Sequence, residues 1–184
     1  MPKARRKYVD ELMDELEELK EQKASPSKLK NIIDKIGNLA DKKAVSLLLE
    51  FMDHERDYIR ATTIQALLKI RYKHLPELII ERMDGEHSML VRVAMLEALG
   101  ESEDESCLPL LQETVQDYHA PDKIKVNAIF AIDRLTRGRI SALKMLVDYL
   151  IDAKNPKTRV EAAKALGKLG DPRAKRFLIA QLDD

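Results

Sequence analysis

The sequence repeats itself, and that constrains what the chain can fold into more than any other feature. Residues 35–53, "KIGNLADKKAVSLLLEFMD", fall on residues 165–183, "ALGKLGDPRAKRFLIAQLD", without a gap. Ile36 meets Leu166, Gly37 meets Gly167, Leu39 meets Leu169, Asp41 meets Asp171 and Leu48 meets Leu178. Three further copies lie between, beginning "IRATTIQALLKI" at 59, "VRVAMLEALGES" at 91 and "IKVNAIFAIDRL" at 124. The shared anchors Ile36, Leu67, Leu99, Ile132 and Leu166 are spaced 31, 32, 33 and 34 residues apart. Five copies at a near-constant period of this length predict an array of stacked supersecondary units.

Each copy reads as two helices. Val160, Ala163, Leu166 and Leu169 form a helical stripe, and so do Leu143, Leu146/Val147 and Leu150. Between them lies helix-start chemistry: Asp171 as a cap with Pro172 at the first helical position, and the same form in Ser25-Pro26 and Asn155-Pro156. Asp57, Ser88 and Asp122 are the expected caps elsewhere. One such hairpin cannot bury its apolar face alone, so neighbours must stack. The expected organisation is a charged N-terminal capping helix within residues 1–26, followed by repeats at 27–55, 56–87, 88–120, 121–154 and 155–184. The capping stripe is Val9, Leu12/Met13, Leu16 and Leu19. A coiled-coil dimer is the competing reading, but the stripe spans barely two heptads.

"VEAAKALGKLGDPRAKRFLIAQLDD" (160–184) resembles a HEAT-like repeat of the phycobilin-lyase type: a Val/Ile-Arg start, Ala-Leu-Gly, Gly-Asp, then an apolar second helix ending in Asp. Arg60, Arg92 and Arg159 match the first-helix Arg of that pattern, Lys125 is a conservative change, and Leu29 departs from it. "LLKIRYKHL" and "IDRLTRGRI" lack the Gly-Asp turn. The resemblance implies an all-α, right-handed α-α superhelix of five hairpins, used mostly as a scaffold or partner-binding module. One enzyme of this fold, deoxyhypusine hydroxylase, carries His-Glu pairs in its first helices to hold two irons. The matching positions here are Ala61-Thr62, Val93-Ala94, Val126-Asn127 and Val160-Glu161, so that activity is not expected.

Other chemistry is sparse. The chain has no Gly-rich phosphate loop, no G-x-S-x-G and no H-E-x-x-H. Its one cysteine, Cys107, sits among acidic residues, which oppose thiolate formation, and reads as a small packed residue. His54, His87 and His119 each follow a second helix on separate repeats, too far apart for the bond lengths a zinc ion requires. No metal and no cofactor is therefore expected. No apolar run reaches the roughly 18 residues of a membrane span, and the N-terminus lacks an apolar signal core, so a cytoplasmic chain with no membrane contact is expected.

Charge is balanced overall at 32 Lys/Arg and 32 Asp/Glu, but unevenly placed. Residues 1–119 carry 18 basic against 24 acidic side chains, and residues 120–184 carry 14 against 8. Arg134, Arg137, Arg139 and Lys144, with Lys154 to Arg176, could track phosphates. The absence of interleaved aromatic residues argues against base stacking. The leading expectation is a non-enzymatic scaffold that takes a protein partner, acidic in character, or a second copy of itself. The candidate contacts are Lys144, Lys164, Lys168, Arg173, Lys175, Arg176, Gln112 and Gln116, and the second-helix positions Glu50, Glu81, Asp148 and Gln181 are further candidates. The alternatives are an accessory subunit of an enzyme, handling a chromophore as bilin lyases do, and a nucleic-acid binder. At the C-terminal edge, residues left over from the Phe177, Leu178 and Leu182 stripe, with Ala162 and Leu169, are expected to face solvent or a partner.

Overall fold

A computed structural model describes residues 3–22 and 24–180. Every regular element among the described residues is helical, with eleven α-helices and three 3-10 turns. The five anchor residues of the repeat are all at 0–1% exposure, so the periodic position is the core position. The chain forms two compact units, residues 1–98 and 99–184.

The first unit begins with α1 (Lys3–Glu21), which buries Val9, Leu12 and Leu16 and packs on α2 (Pro26–Leu39). The Arg5 guanidinium donates to the Leu39 carbonyl at 2.6 Å, Lys43 meets Asp10 at 2.7 Å, and Lys20 pairs with Glu50. The stripe of α1 is thus spent inside the unit. After the 3-10 turn Lys42–Ala44 come α3 (Val45–Leu49), α4 (Asp57–Lys69) and α5 (Leu75–Met83), and α6 (Met89–Gly100) carries the chain past the boundary. α2 lies directly against α4. A Cβ on Gly37 would come within 2.8 Å of the Cα and Cβ of Ala66, so only glycine permits that approach.

The second unit holds the 3-10 turn Glu105–Cys107, α7 (Leu108–Gln116), α8 (Asp122–Leu135), α9 (Ala142–Asp152), α10 (Pro156–Leu169), the turn Pro172–Ala174 and α11 (Lys175–Ala180). α8 is the hub, packing on α7, α9 and α10 and burying Ile124, Ala128, Ile129, Ala131, Ile132 and Leu135. Gly100 repeats the role of Gly37: its Cβ would lie 2.8 Å from the Cα of Ala131.

The turns are built from one recipe. Asp41, Asp104 and Asp171 each accept the backbone N–H two residues on, at 3.1, 3.0 and 2.9 Å, capping the 3-10 turn that leads into the second helix. Immediately before them Ala40, Glu103 and Gly170 take the left-handed conformation. Arg71 and Arg137 do so too, in the two copies whose turns lack the aspartate as well. Asn155 caps α10 as expected, accepting from the Lys157 N–H at 3.0 Å. Asp57 and Asp122 depart from expectation. Each is the first residue of its helix rather than the cap, and each carboxylate instead accepts a hydroxyl from the start of another first helix: Ser88 onto Asp57 at 2.8 Å, Thr158 onto Asp122 at 3.0 Å. The hydroxyl lies one repeat along the chain, close enough to compete for these carboxylates.

Candidate functional site

Within each unit an open cleft runs beside the loops that join one repeat to the next. In the second unit it has a volume of about 720 Å³ and is formed by residues 118–125 on one side and 148–158 on the other. Tyr118 stands at its rim, 89% exposed. Tyr149 is half-buried, its hydroxyl donating to the Val115 carbonyl at 2.8 Å, and burial, with the Asp122 charge nearby, pushes its phenol up from the ordinary value. Asp148 and Asp152, one turn apart on α9, and Lys125 and Lys154 give the walls charges of both signs. The volume lies in the range of small-molecule sites, and the mixture of phenol rings, carboxylates and ammonium groups suits an elongated ligand with both apolar and polar parts.

The first unit's cleft, about 550 Å³, is lined at the same register by residues 52–60 and 81–95. An ion pair stands in its wall. Arg60 grips Glu86 through two parallel bonds of 2.8 Å, with the two side chains only 19% and 10% exposed. Burial works against the Glu86 carboxylate, but the Arg60 guanidinium and the Ser88 amide outweigh it and hold the carboxyl below its ordinary range. Arg60 also donates to the His54 carbonyl at 2.8 Å, and Arg159 likewise donates to the Ala153 carbonyl at 2.9 Å. The repeating first-helix arginine therefore ties the preceding loop to its own helix. At the same register Arg92 leaves its Nε buried without a hydrogen-bond partner.

The residues singled out from sequence fall into groups. Gln112, Gln116, Lys144, Lys164, Lys168, Arg173, Lys175 and Arg176 are all exposed, as are Glu50, Glu81 and Asp148. Gln181 and Leu182 lie outside the described residues. Lys164 pairs with Glu161 at 2.8 Å, and Arg173 with Asp171 at 2.7 Å. Lys168 Nζ sits 5.9 Å from the centroid of the Phe130 ring, and the Arg176 guanidinium 4.6 Å from that of Phe177. Lys175 lines a shallow recess with Pro172, Arg173, Arg176 and Ile179. The structure pairs the three arginines of the 134–139 stretch with carboxylates one repeat earlier: Arg134 with Glu101 at 3.2 Å, Arg137 with Glu103 at 3.6 Å, and Arg139 with Glu105. At the C-terminal edge Ala162 is fully buried, contrary to expectation, because its side chain turns inward from α10. The exposed apolar residues there are Val160 and Ile179, each at 50%. Sequence reading missed the Arg60–Glu86 clamp. The i to i+26 spacing carries no local signal, although Glu86 beside a repeating arginine position was visible.

Residues 117–184 match the family of HEAT repeats, and residues 91–117 match the PBS lyase HEAT-like repeat. The chain is a HEAT-like repeat protein. HEAT-like repeats stack into extended surfaces suited to binding other proteins. Among solved structures, this HEAT-like chain is similar to a chain in the complex of CpcE and CpcF of phycocyanin lyase from Nostoc sp. PCC7120. The identity is 25%, the TM-score 0.61, and the match covers 92% of this chain and 67% of that one. No curated protein matches the sequence. The likeness overturns the expectation of a non-enzymatic scaffold, since the structural neighbour is a chain from a complex of phycocyanin lyase. A search for catalytic motifs within one chain is blind to chemistry assembled between two. No helix among the described residues is long and apolar enough to cross a membrane.

Proposed function

We propose that this HEAT-like chain is a subunit of a lyase-type enzyme complex, docking a second protein through its repeats and offering the cleft beside Tyr118 and Tyr149 to a ligand of the reaction. The observation that carries this reading is the fold likeness, over 92% of the chain, to a chain from a two-protein phycocyanin lyase. The cleft supports it, because a cofactor-sized opening with aromatic and charged walls is what a chromophore-handling subunit needs. The acidic-partner expectation remains part of the reading, with Lys144, Lys168, Lys175 and Arg176 exposed for it.

The test is to isolate the tagged chain from its native cells and measure mass by light scattering, then assay the assembly and each component for lyase activity on a pigment-bearing phycocyanin. The expected result is a complex with one further protein that is active only when both are present. A chain that runs alone near 21.1 kDa and leaves the activity of every fraction unchanged would overturn the proposal.

A further inference from the structure

We propose that the outer face of α10 is a socket for a helix of a second protein, one that presents a small residue, Ala or Gly, followed three positions later by Asp or Glu. This names the partner's chemistry for the docking reading above and rests on that reading.

The argument comes from what fills the same register elsewhere. The position after each anchor is Gly37, Gly100 and Gly167 in the first, third and fifth copies. At Gly37 the backbone of α4 arrives at Ala66, and at Gly100 the backbone of α8 arrives at Ala131. Each approach is so close that any side chain on the glycine would collide with the alanine's Cα at 2.8 Å. At Gly167 no atom of the described residues lies within 4 Å of where a Cβ would be, and the residue is exposed. Val160, two turns earlier on the same face of α10, is half exposed and gives an apolar foothold. Gly167 thus costs α10 helix propensity without the contact that justifies a glycine in the other two copies.

The next residue along supplies the charge rule. Asn38, just after Gly37, accepts from Lys69 at 2.9 Å, and Lys69 lies three residues beyond Ala66. Glu101, just after Gly100, accepts from Arg134 at 3.2 Å, and Arg134 lies three residues beyond Ala131. In both filled sockets the incoming helix brings a small residue into the glycine notch and, one turn on, a donor matched to an acceptor on the residue after the glycine. The residue after Gly167 is Lys168, exposed and resting over the Phe130 ring. The matching residue of an incoming helix is therefore acidic. The described side chains of α1 do not meet this rule: its exposed face carries Asp10, Glu11, Asp14, Glu15, Glu17 and Glu18, but no small residue three positions before any of them. That points to a second protein rather than to α1 of another copy.

The test uses the full chain and two fluorescent, helix-stapled peptides. One has the sequence of residues 122–135, which brings Ala131 in register. The other is the same peptide with Arg134→Glu. The chain should bind the Glu peptide at least about fivefold more tightly than the Arg peptide, as expected for attraction replacing repulsion at one partly exposed charge. Lys168→Glu should invert that preference. Gly167→Leu should weaken both peptides more than about tenfold by filling the notch, with helicity and melting preserved because the site is open. Equal binding by Gly167→Leu, which is also what displacement of the chain's own α8 from Gly100 would give, overturns the proposal. So does a preference that Lys168→Glu leaves unchanged. If either occurs while the native complex still assembles, the socket is wrong and the docking reading stands. If the native complex is never found, the reading fails on its own test.

Discussion

Arg60 illustrates how much one side chain can hold. It clamps Glu86 bidentately and donates to the His54 carbonyl, so one guanidinium joins a helix, the loop before it and the loop after the next helix. Arg60→Ala would leave a nearly buried carboxylate without its cation. We expect a loss of about 2–3 kcal/mol, less than for a fully buried pair because some water reaches both groups. The acid limb of stability should report the same pair. The Glu86 carboxyl is held below its ordinary value near 4.5 in the folded chain, so its contribution is complete above that value and fades as pH falls through the depressed one. Chemical denaturation between pH 6 and pH 3 should therefore show a shallower loss on acidification for Glu86→Gln than for the parent. Parallel curves would show that Glu86 titrates as an ordinary exposed carboxylate.

Three chemically identical glycines stand at one register in two kinds of surroundings. Gly37 and Gly100 face backbone at 2.8 Å, while Gly167 faces open space. The same substitution should therefore change sign along the chain. Gly37→Ala and Gly100→Ala force α2 from α4, or α6 from α8, and should each cost about 1–3 kcal/mol by overpacking. Gly167→Ala adds a methyl group to an exposed helix interior and should gain up to about 1 kcal/mol from propensity. Thermal melting of the three variants checks this. A loss at all three would mean that α10 has a tight neighbour in the isolated chain. The turns teach a related lesson. Ala40, Arg71 and Glu103 adopt the left-handed conformation that Gly170 takes at the equivalent position, so the turn persists where glycine is missing. Stacking on both sides of the turn outweighs the local strain of about 1–2 kcal/mol.

Across a whole compact unit, stability should follow burial. In residues 99–184, α8 buries six residues, α10 three, and α11 none. Repeat arrays are held by nearest-neighbour interfaces, so the helix with neighbours on both sides opens last. Hydrogen exchange followed by mass spectrometry should show the slowest amides in α8 and the fastest in α11. Protection of α11 equal to that of α8 would reveal a stabilising contact at that end. Charge also looks different at this scale. The excess of basic residues after position 120 suggested a free cationic surface, but Arg134, Arg137 and Arg139 each lie against a glutamate of the 101–105 turn. Lys144 of the fourth copy and Lys168, Lys175 and Arg176 of the fifth are exposed and take no part in the ion pairs of the described residues.

What the sequence determined by itself was everything with a short range or a fixed period. The repeat, the helix pairs, the buried anchors, the Asp171 and Asn155 caps and the HEAT-like character were legible because helix periodicity and capping act between residues a few positions apart. What only the tertiary structure decided was which residues meet one repeat away. Asp57 and Asp122 bridge to Ser88 and Thr158 rather than cap, Arg60 finds Glu86, Tyr149 finds the Val115 carbonyl, and Ala162 turns inward. The glycines show the division most clearly. Their recurrence was plain in the sequence, but whether a glycine is filled or open depends on the backbone that stacks against it, and stacking geometry is a property of the assembled helices rather than of any one of them.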